Sequence, residues 1–328
     1  MDSIRRIISE KNNLQFYIEE TESGGVRLLR CYGDFPALTV PEKIGSCTVV
    51  EIGDYCFADS AKAIECPEQP GENVRVISGA YLRRLELPDT VIKIGNLAFY
   101  NCKGLQELSF GTGLARVESD VFMNCRSLHT LRVRGSMCQK TGLKQLLARR
   151  MSYVDVIFEE EHRITGRLYY PEYEEYYDEI GPAHIFAMSI RGEGFRARQC
   201  FRNGIVDLKG YDDIFEQAQA EESPETLCRM AGYRLAYPAE LEETARQRYR
   251  EYLQSHMGTL AALLVKEKNI ELIRKFAEED ILLSEGMTAA AELASQMEWV
   301  QGAAAILKLQ REQTGKKPEV QRYTFEDW

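Results

Sequence analysis

Four arginines offer the most direct chemistry in this sequence. The stretch RGEGFRARQCFRNG sets Arg191, Arg196, Arg198 and Arg202 beside Phe195 and Phe201. Guanidinium forks among aromatic planes can hold a phosphate or stack on a base, so these four arginines are a candidate site for an anionic ligand. Gly192-x-Gly194 begins like a phosphate loop, but Ala197 stands where a third glycine is wanted, and there is no basic P-loop motif. Just upstream, residues 159–179 hold eight carboxylates and five tyrosines, without the D-x-D-x-D-G spacing of a calcium loop. Such a stretch could dock a basic partner or imitate nucleic acid. The alternative for both stretches is mutual: an acidic and a basic strand that pair in a small sheet, with HIFAMSI between them as a strand.

The other reactive residue types are dispersed. Nine cysteines are scattered without a CxxC pair, and none of the four histidines stands at metal-ligand spacing from a cysteine cluster. G-x-S-x-G, H-E-x-x-H and a glycine-rich phosphate loop do not occur. We therefore assign no catalytic residue, no metal ligand and no cofactor, and expect a binding protein. The net charge of −10 disfavours broad attachment to nucleic acid or anionic membrane, while leaving room for a local basic patch. After Arg5 and Arg6 only Ile7 and Ile8 precede Ser9, Glu10 and Lys11, so the apolar stretch of a signal peptide is not seen. The longest apolar run is Leu260–Val265. The expected address is cytoplasmic, with the cysteines as reduced thiols.

The elements that position these residues begin with a repeat. Residues 85–105, LELPDTVIKIGNLAFYNCKGL, and 108–128, LSFGTGLARVESDVFMNCRSL, superpose at a shift of 23. The shift pairs Leu85 with Leu108, Leu87 with Phe110, Ile94 with Val117, Phe99 with Phe122, Asn101 with Asn124, Cys102 with Cys125 and Leu105 with Leu128. A third copy starts at Leu131-Arg132-Val133-Arg134-Gly135 and stops. A looser one precedes them: Leu38–Pro41 matches Leu85–Pro88, Val50–Gly53 matches Ile92–Gly95, and Cys56-Phe57 takes the place of Ala98-Phe99. Residues 61–79, with Pro67, Pro70 and Gly71, read as a divergent coil or a loop. L-x-L and I-x-I alternate, so each is a short strand with one face inward. Pro88-Asp89 and Gly111-Thr112-Gly113 turn the chain between strands, and A/V-F-x-N-C-x-x-L returns it as a short helical turn. One such unit cannot bury its own leucines; a stack of them can.

This motif set, over residues 38–135, resembles the BspA-like class of leucine-rich repeats, common in bacterial proteins. The resemblance implies a solenoid. It does not imply one function, because solenoids serve many partners. Cys102 and Cys125 then read as a ladder of small buried residues, the alternative being a metal or redox pair.

Residues between the inward leucines point outward. One strand stack presents Glu86, Ser109 and Arg132 in one column and Arg84, Glu107 and Thr130 beside it; the other presents Glu51, Lys93 and Arg116. Arg84, Glu86, Glu107, Ser109, Thr130 and Arg132 are the candidate partner-binding residues.

We expect an α+β multidomain chain: an N-terminal cap over 1–37, the solenoid with a C-terminal cap helix in 38–150, a small β-rich segment over 151–220, helical hairpins over 221–313 and a polar tail over 314–328. Ser223-Pro224-Glu225 is a strong helix start. Two offset helix pairs, 258–279 and 287–313, loosely resemble degenerate ankyrin-type pairs. The function expected is a non-enzymatic intracellular scaffold that binds another protein, with neither nucleic acid nor membrane as partner. The alternative is an anionic-ligand binder at Arg191–Arg202.

Overall fold

Alternating apolar residues build two stacks of short strands, and each stack gains one strand per repeat. The computed structural model describes residues 4–8, 13–22, 24–64, 74–180 and 185–315. β1 (Arg5–Ile8), β2 (Gln15–Glu20) and β3 (Val26–Gly33) form an antiparallel meander. β4 (Ala37–Thr39), β5 (Lys43–Ile44), β6 (Cys47–Ile52), β7 (Arg75–Val76), β8 (Arg84–Glu86) and β9 (Lys93–Ile94) follow. Then come β10 (Glu107–Gly111), β11 (Arg116–Val117), β12 (Thr130–Arg134), α1 (Leu143–Leu147), β13 (Val154–Glu160) and β14 (Arg163–Tyr170). One sheet runs β1-β2-β3-β6-β9-β11, with β5 on β6 and β7 on β3; the other runs β14-β13-β12-β10-β8-β4.

The register follows the repeat. Leu108 lies opposite both Leu85 and Leu131 in parallel pairing. The looser early copy supplies the preceding rung, with Leu38 opposite Leu85 and Glu51 opposite Lys93. β4 lies directly on β8, so no strand stands between them; Pro67, Pro70 and Gly71 lie outside the described residues. Leu85, Leu87, Leu108, Phe110, Leu131 and Val133 of one sheet and Ile52 and Ile94 of the other are buried.

The return segment is a chain of hydrogen-bonded turns instead of the short helical turn expected. Tyr100 N–H donates to Leu97 O, Cys102 N–H to Phe99 O and Leu105 N–H to Cys102 O. Leu97 and Asn101, like Asp120 and Asn124 one rung later, have left-handed φ values of 51°, 60°, 52° and 62°. Each left-handed residue stops a helix from propagating. Within these turns Phe57, Phe99 and Phe122 stack at centroid spacings of 5.4 and 5.6 Å. Cys102 Sγ donates to Phe57 O and Cys125 Sγ to Phe99 O, each at 3.0 Å.

Both ends of the turn column close on a buried arginine. Arg30 donates to the carbonyls of Tyr55, Cys56 and Ala58 at 3.3, 3.1 and 2.9 Å. Arg150 donates to those of Cys125 and Leu128, both at 2.7 Å. Terminal rungs have no neighbour to satisfy their carbonyls, and a buried unsatisfied carbonyl is costly. The cap helix α1 buries Leu143, Leu146 and Leu147 and packs on β11, at the open edge of its sheet.

The other sheet continues across residue 150, so the first strands of the segment 151–220 belong to the solenoid. β13 pairs in parallel with β12, Val156 opposite Leu131, and β14 folds back antiparallel as the edge strand, with a bulge after Phe158. β15 (Glu174–Ile180) and β16 (Ile185–Arg191) form a separate two-stranded hairpin, followed by α2 (Gly194–Ala197), β17 (Phe201–Arg202), β18 (Ile205–Val206), α3 (Leu208–Asp213) and α4 (Phe215–Glu221).

The chain divides into two compact units, Met1–Glu221 and Glu222–Trp328. In the second, α5 (Pro224–Ala236) starts at Ser223, whose hydroxyl accepts from Thr226 N–H at 3.2 Å, with Pro224 at the first helical position. α6 (Glu243–Ser255), α7 (Met257–Lys266), α8 (Ile270–Glu278), α9 (Ser284–Gln296) and α10 (Val300–Gly315) complete it. α9 packs on both α7 and α10. Lys268, Asp280 and Glu298 take left-handed φ values of 52°, 53° and 55° between helices and end them without glycine. Residues 316–328 of the expected tail lie outside the described residues.

Candidate interaction surface

The outward columns lie in the register that the 23-residue shift requires. Glu86, Ser109 and Arg132 are aligned, as are Arg84, Glu107 and Thr130. Their exposure differs. Arg84 is exposed and Glu86, Glu107 and Arg132 are half-buried, while Ser109 and Thr130 are buried. Ser109 is covered because Arg134, one strand on, reaches back over it: the guanidinium bonds Ser109 Oγ at 2.8 Å, Glu86 at 3.2 Å and Asp89 at 2.8 Å. Arg132 pairs with Glu107 at 3.4 Å and with Glu159, and Arg167 with Asp155. Burial lowers the affinity of Arg132 for its proton, but Glu107 and Glu159 more than restore it, so the net pKa shift is upward. The face is a ladder of alternating charges satisfied within the sheet. On the other sheet Glu51, Lys93 and Arg116 are likewise in register, with Glu51 held by Arg27 at 2.9 Å and Lys93 by Glu118 at 3.4 Å.

The four arginines of the 191–202 stretch go to four different partners. Arg191 lies opposite Glu174 in the β15–β16 hairpin. Arg196 pairs with Glu193 at 2.8 Å and Arg202 with Asp207 at 2.7 Å. Arg198 is buried and donates to the carbonyls of Pro171, Gly194 and Ser152 at 2.6, 2.7 and 2.7 Å. Burial lowers its pKa to about 10, which still leaves it charged at neutral pH. Arg198 is a structural tether. Arg196 and Arg202 are taken up by carboxylates within or just after their own stretch, and of the four only Arg191 stands opposite a residue of the acidic one.

An aromatic edge escaped the column argument. His129, Tyr153 and Tyr169 stack in series, with centroids 6.3 and 5.9 Å apart, along the rim of the six-stranded sheet. Tyr153 is 43% exposed and Met151 beside it is also exposed. The hairpin adds exposed Tyr176, Tyr177 and Met188, with Tyr177 directly opposite Met188. The ladder is hidden in a column reading because Tyr153 precedes its strand and Tyr169 arrives on an antiparallel one. The signal that was present is composition: five tyrosines within residues 159–179.

Cys31, Cys56, Cys102, Cys200 and Cys228 are shifted away from reactivity. Burial raises the pKa of Cys31 and Cys56, and it raises Cys200 and Cys228 to about 12. Cys102 is raised by the neighbouring Cys125 thiol and by burial. A nucleophile or metal ligand needs the opposite shift. Among the described residues no group of three or more His, Cys, Asp or Glu side chains is placed to hold a metal ion, and no helix is long and apolar enough to cross a membrane.

Residues 73–143 match the family model described as a BspA type leucine rich repeat region (6 copies). No curated protein matches the chain at a significant level. Among solved structures, the chain is similar to a leucine rich cell surface protein from Faecalibacterium prausnitzii, at 19% identity and a TM-score of 0.26. That match covers 40% of this chain and 37% of the other, so the chain spans well under half of that protein.

Proposed function

With residues 73–143 a BspA-type leucine-rich repeat region in a solenoid, we propose that the chain is a non-enzymatic interaction protein that holds a protein partner on the outer face of the six-stranded sheet. Contact centres on exposed His129 and Tyr153 of the aromatic rim and on exposed Tyr177 of the hairpin, with Arg84, Glu86, Glu107 and Arg132 as the polar field. The observation that carries this reading is the stacked ladder, in which His129 and Tyr153 are exposed and Tyr169 is buried. Protein interfaces concentrate their energy in Tyr, Trp and Arg anchors, whereas charges already paired within a sheet add orientation more than affinity. The raised thiol pKa values support a role without covalent chemistry. The eight described cysteines are all free thiols, which supports a reducing, intracellular address.

The test is partner capture from the source cell with three forms of the full chain: the native sequence, Tyr153→Ser/Tyr177→Ser, and Glu86→Lys/Glu107→Lys/Arg132→Glu. A partner held by the native chain is expected to be lost by the tyrosine pair, with affinity lower by roughly 100-fold, as for two interface anchors. The charge variant is expected to slow association and cost less. Undiminished capture by both variants, with circular dichroism unchanged, would exclude this face.

A further inference from the structure

Residues 121–154 contain seven arginines and lysines and no carboxylate, in a chain of net charge −10. Two of the seven, Arg132 and Arg134, reach acids brought by other strands. Arg126 has no ion pair among the described residues, and Arg150 bonds only to carbonyls. These two arginines meet at a cavity of about 260 Å³ lined also by Gln106, Ser127, His129 and Ser152. Leu128 and Tyr153 complete the wall, and no carboxylate lines the cavity.

Arg150 is the unusual member. It is only 7% exposed, it has no carboxylate partner among the described residues, and its Nε makes no hydrogen bond. A guanidinium carries five N–H donors, and the Cys125 and Leu128 carbonyls account for two of them. A buried cation without a counter-charge is costly, and the cost shows in its lowered pKa, for which burial is the main cause. An anion in the adjoining cavity would offset it.

We propose that this cavity binds a phosphoryl oxyanion, with Arg126 and Arg150 supplying the charge and Gln106, His129 and Ser152 supplying further hydrogen-bonding groups. Two guanidinium charges match a dianion; a carboxylate would leave one of them unmatched. The phosphoryl group comes either as inorganic phosphate or as a phosphate ester.

The experiment is an NMR titration of the full chain in a phosphate-free buffer, with inorganic phosphate, with N-acetyl-phosphoserine amide and with acetate. Saturable shifts are expected at residues 126–129 and 150–153. Tighter binding of phosphate identifies the free anion as the ligand, and tighter binding of phosphoserine identifies an ester. Arg126→Gln is the informative variant, because Arg150 also satisfies the turn carbonyls. It is expected to weaken binding by roughly ten-fold, the loss of one charge-assisted contact. Lys140→Gln removes the same charge from the same acid-free stretch but outside the cavity, and is expected to leave affinity within about two-fold. Absence of saturation, equal weakening by both variants, or acetate binding as tightly as phosphate would overturn the proposal.

Discussion

Asn101 and Asn124 hold left-handed backbone at equivalent places in successive rungs, and their side chains join them: Asn124 Nδ2 donates to Asn101 Oδ1 at 2.9 Å, and Asn101 Nδ2 donates to Asp59 O at 3.1 Å. Alanine at 124 loses the bond and strains the backbone, at a cost of about 1–2 kcal/mol. Urea unfolding of Asn124→Ala should show that loss with an unchanged m-value, and Asn124→Gly should recover about half of it. A glycine variant no better than alanine would remove the left-handed term. The buried thiols make a pH prediction. Cys228 and Cys200 have folded pKa values raised to about 12, so the folded state keeps protons that the unfolded state releases. Their stabilising effect is whole below the unfolded thiol value and is lost as pH rises through the window from about 9 to 12, at roughly 1.4 kcal/mol per pH unit and group. Calorimetry at pH 8 and pH 10 should show the fall in Tm, and Cys228→Ala should make it shallower. With iodoacetamide at pH 8, exposed Cys138 is expected to be alkylated well before Cys102 or Cys125.

At the scale of elements, the Phe57–Phe99–Phe122 stack ties consecutive rungs. Phe99 touches a ring on each side, so Phe99→Ala is expected to cost about 3–5 kcal/mol, the upper range for a core truncation. A cost under about 1 kcal/mol in chemical denaturation would mean that the rungs are independent of it. The rungs were readable in the sequence because 23 residues return every side chain to the same environment: Leu85, Leu108 and Leu131 are chemically interchangeable and sit opposite one another. The next rung was not readable. From Leu131 to its partner Val156 the step is 25 residues, and α1 intervenes where a second-sheet strand would have continued the pattern. Arg198 shows the limit at the candidate site. Nothing in RGEGFRARQCFRNG distinguishes an arginine that meets a ligand from one that meets three carbonyls, because the carbonyls belong to Ser152, Pro171 and Gly194, and two of these lie far away in the chain.

At the scale of the whole molecule, each of the two compact units has its own buried interior: Leu85, Phe99 and Leu108 in Met1–Glu221, and Leu260, Ile273 and Phe276 in Glu222–Trp328. A fragment starting at Glu222 should therefore fold alone, with a helical circular dichroism spectrum and a cooperative thermal transition; a flat melt would mean that its helices need the solenoid. The arginine at each end of the turn column carries a different consequence. Arg30 reaches only the first rung and Arg150 only the last, and neither senses how many rungs lie between. The length of the solenoid is thus a free parameter of this architecture. A second copy of residues 106–128 spliced in after Leu128 would meet the same two stoppers, moving the aromatic rim one strand spacing, about 4.8 Å, further from β4. The binding edge could be shifted along its scaffold in fixed increments, like a slider on a notched rail, without redesigning either terminus.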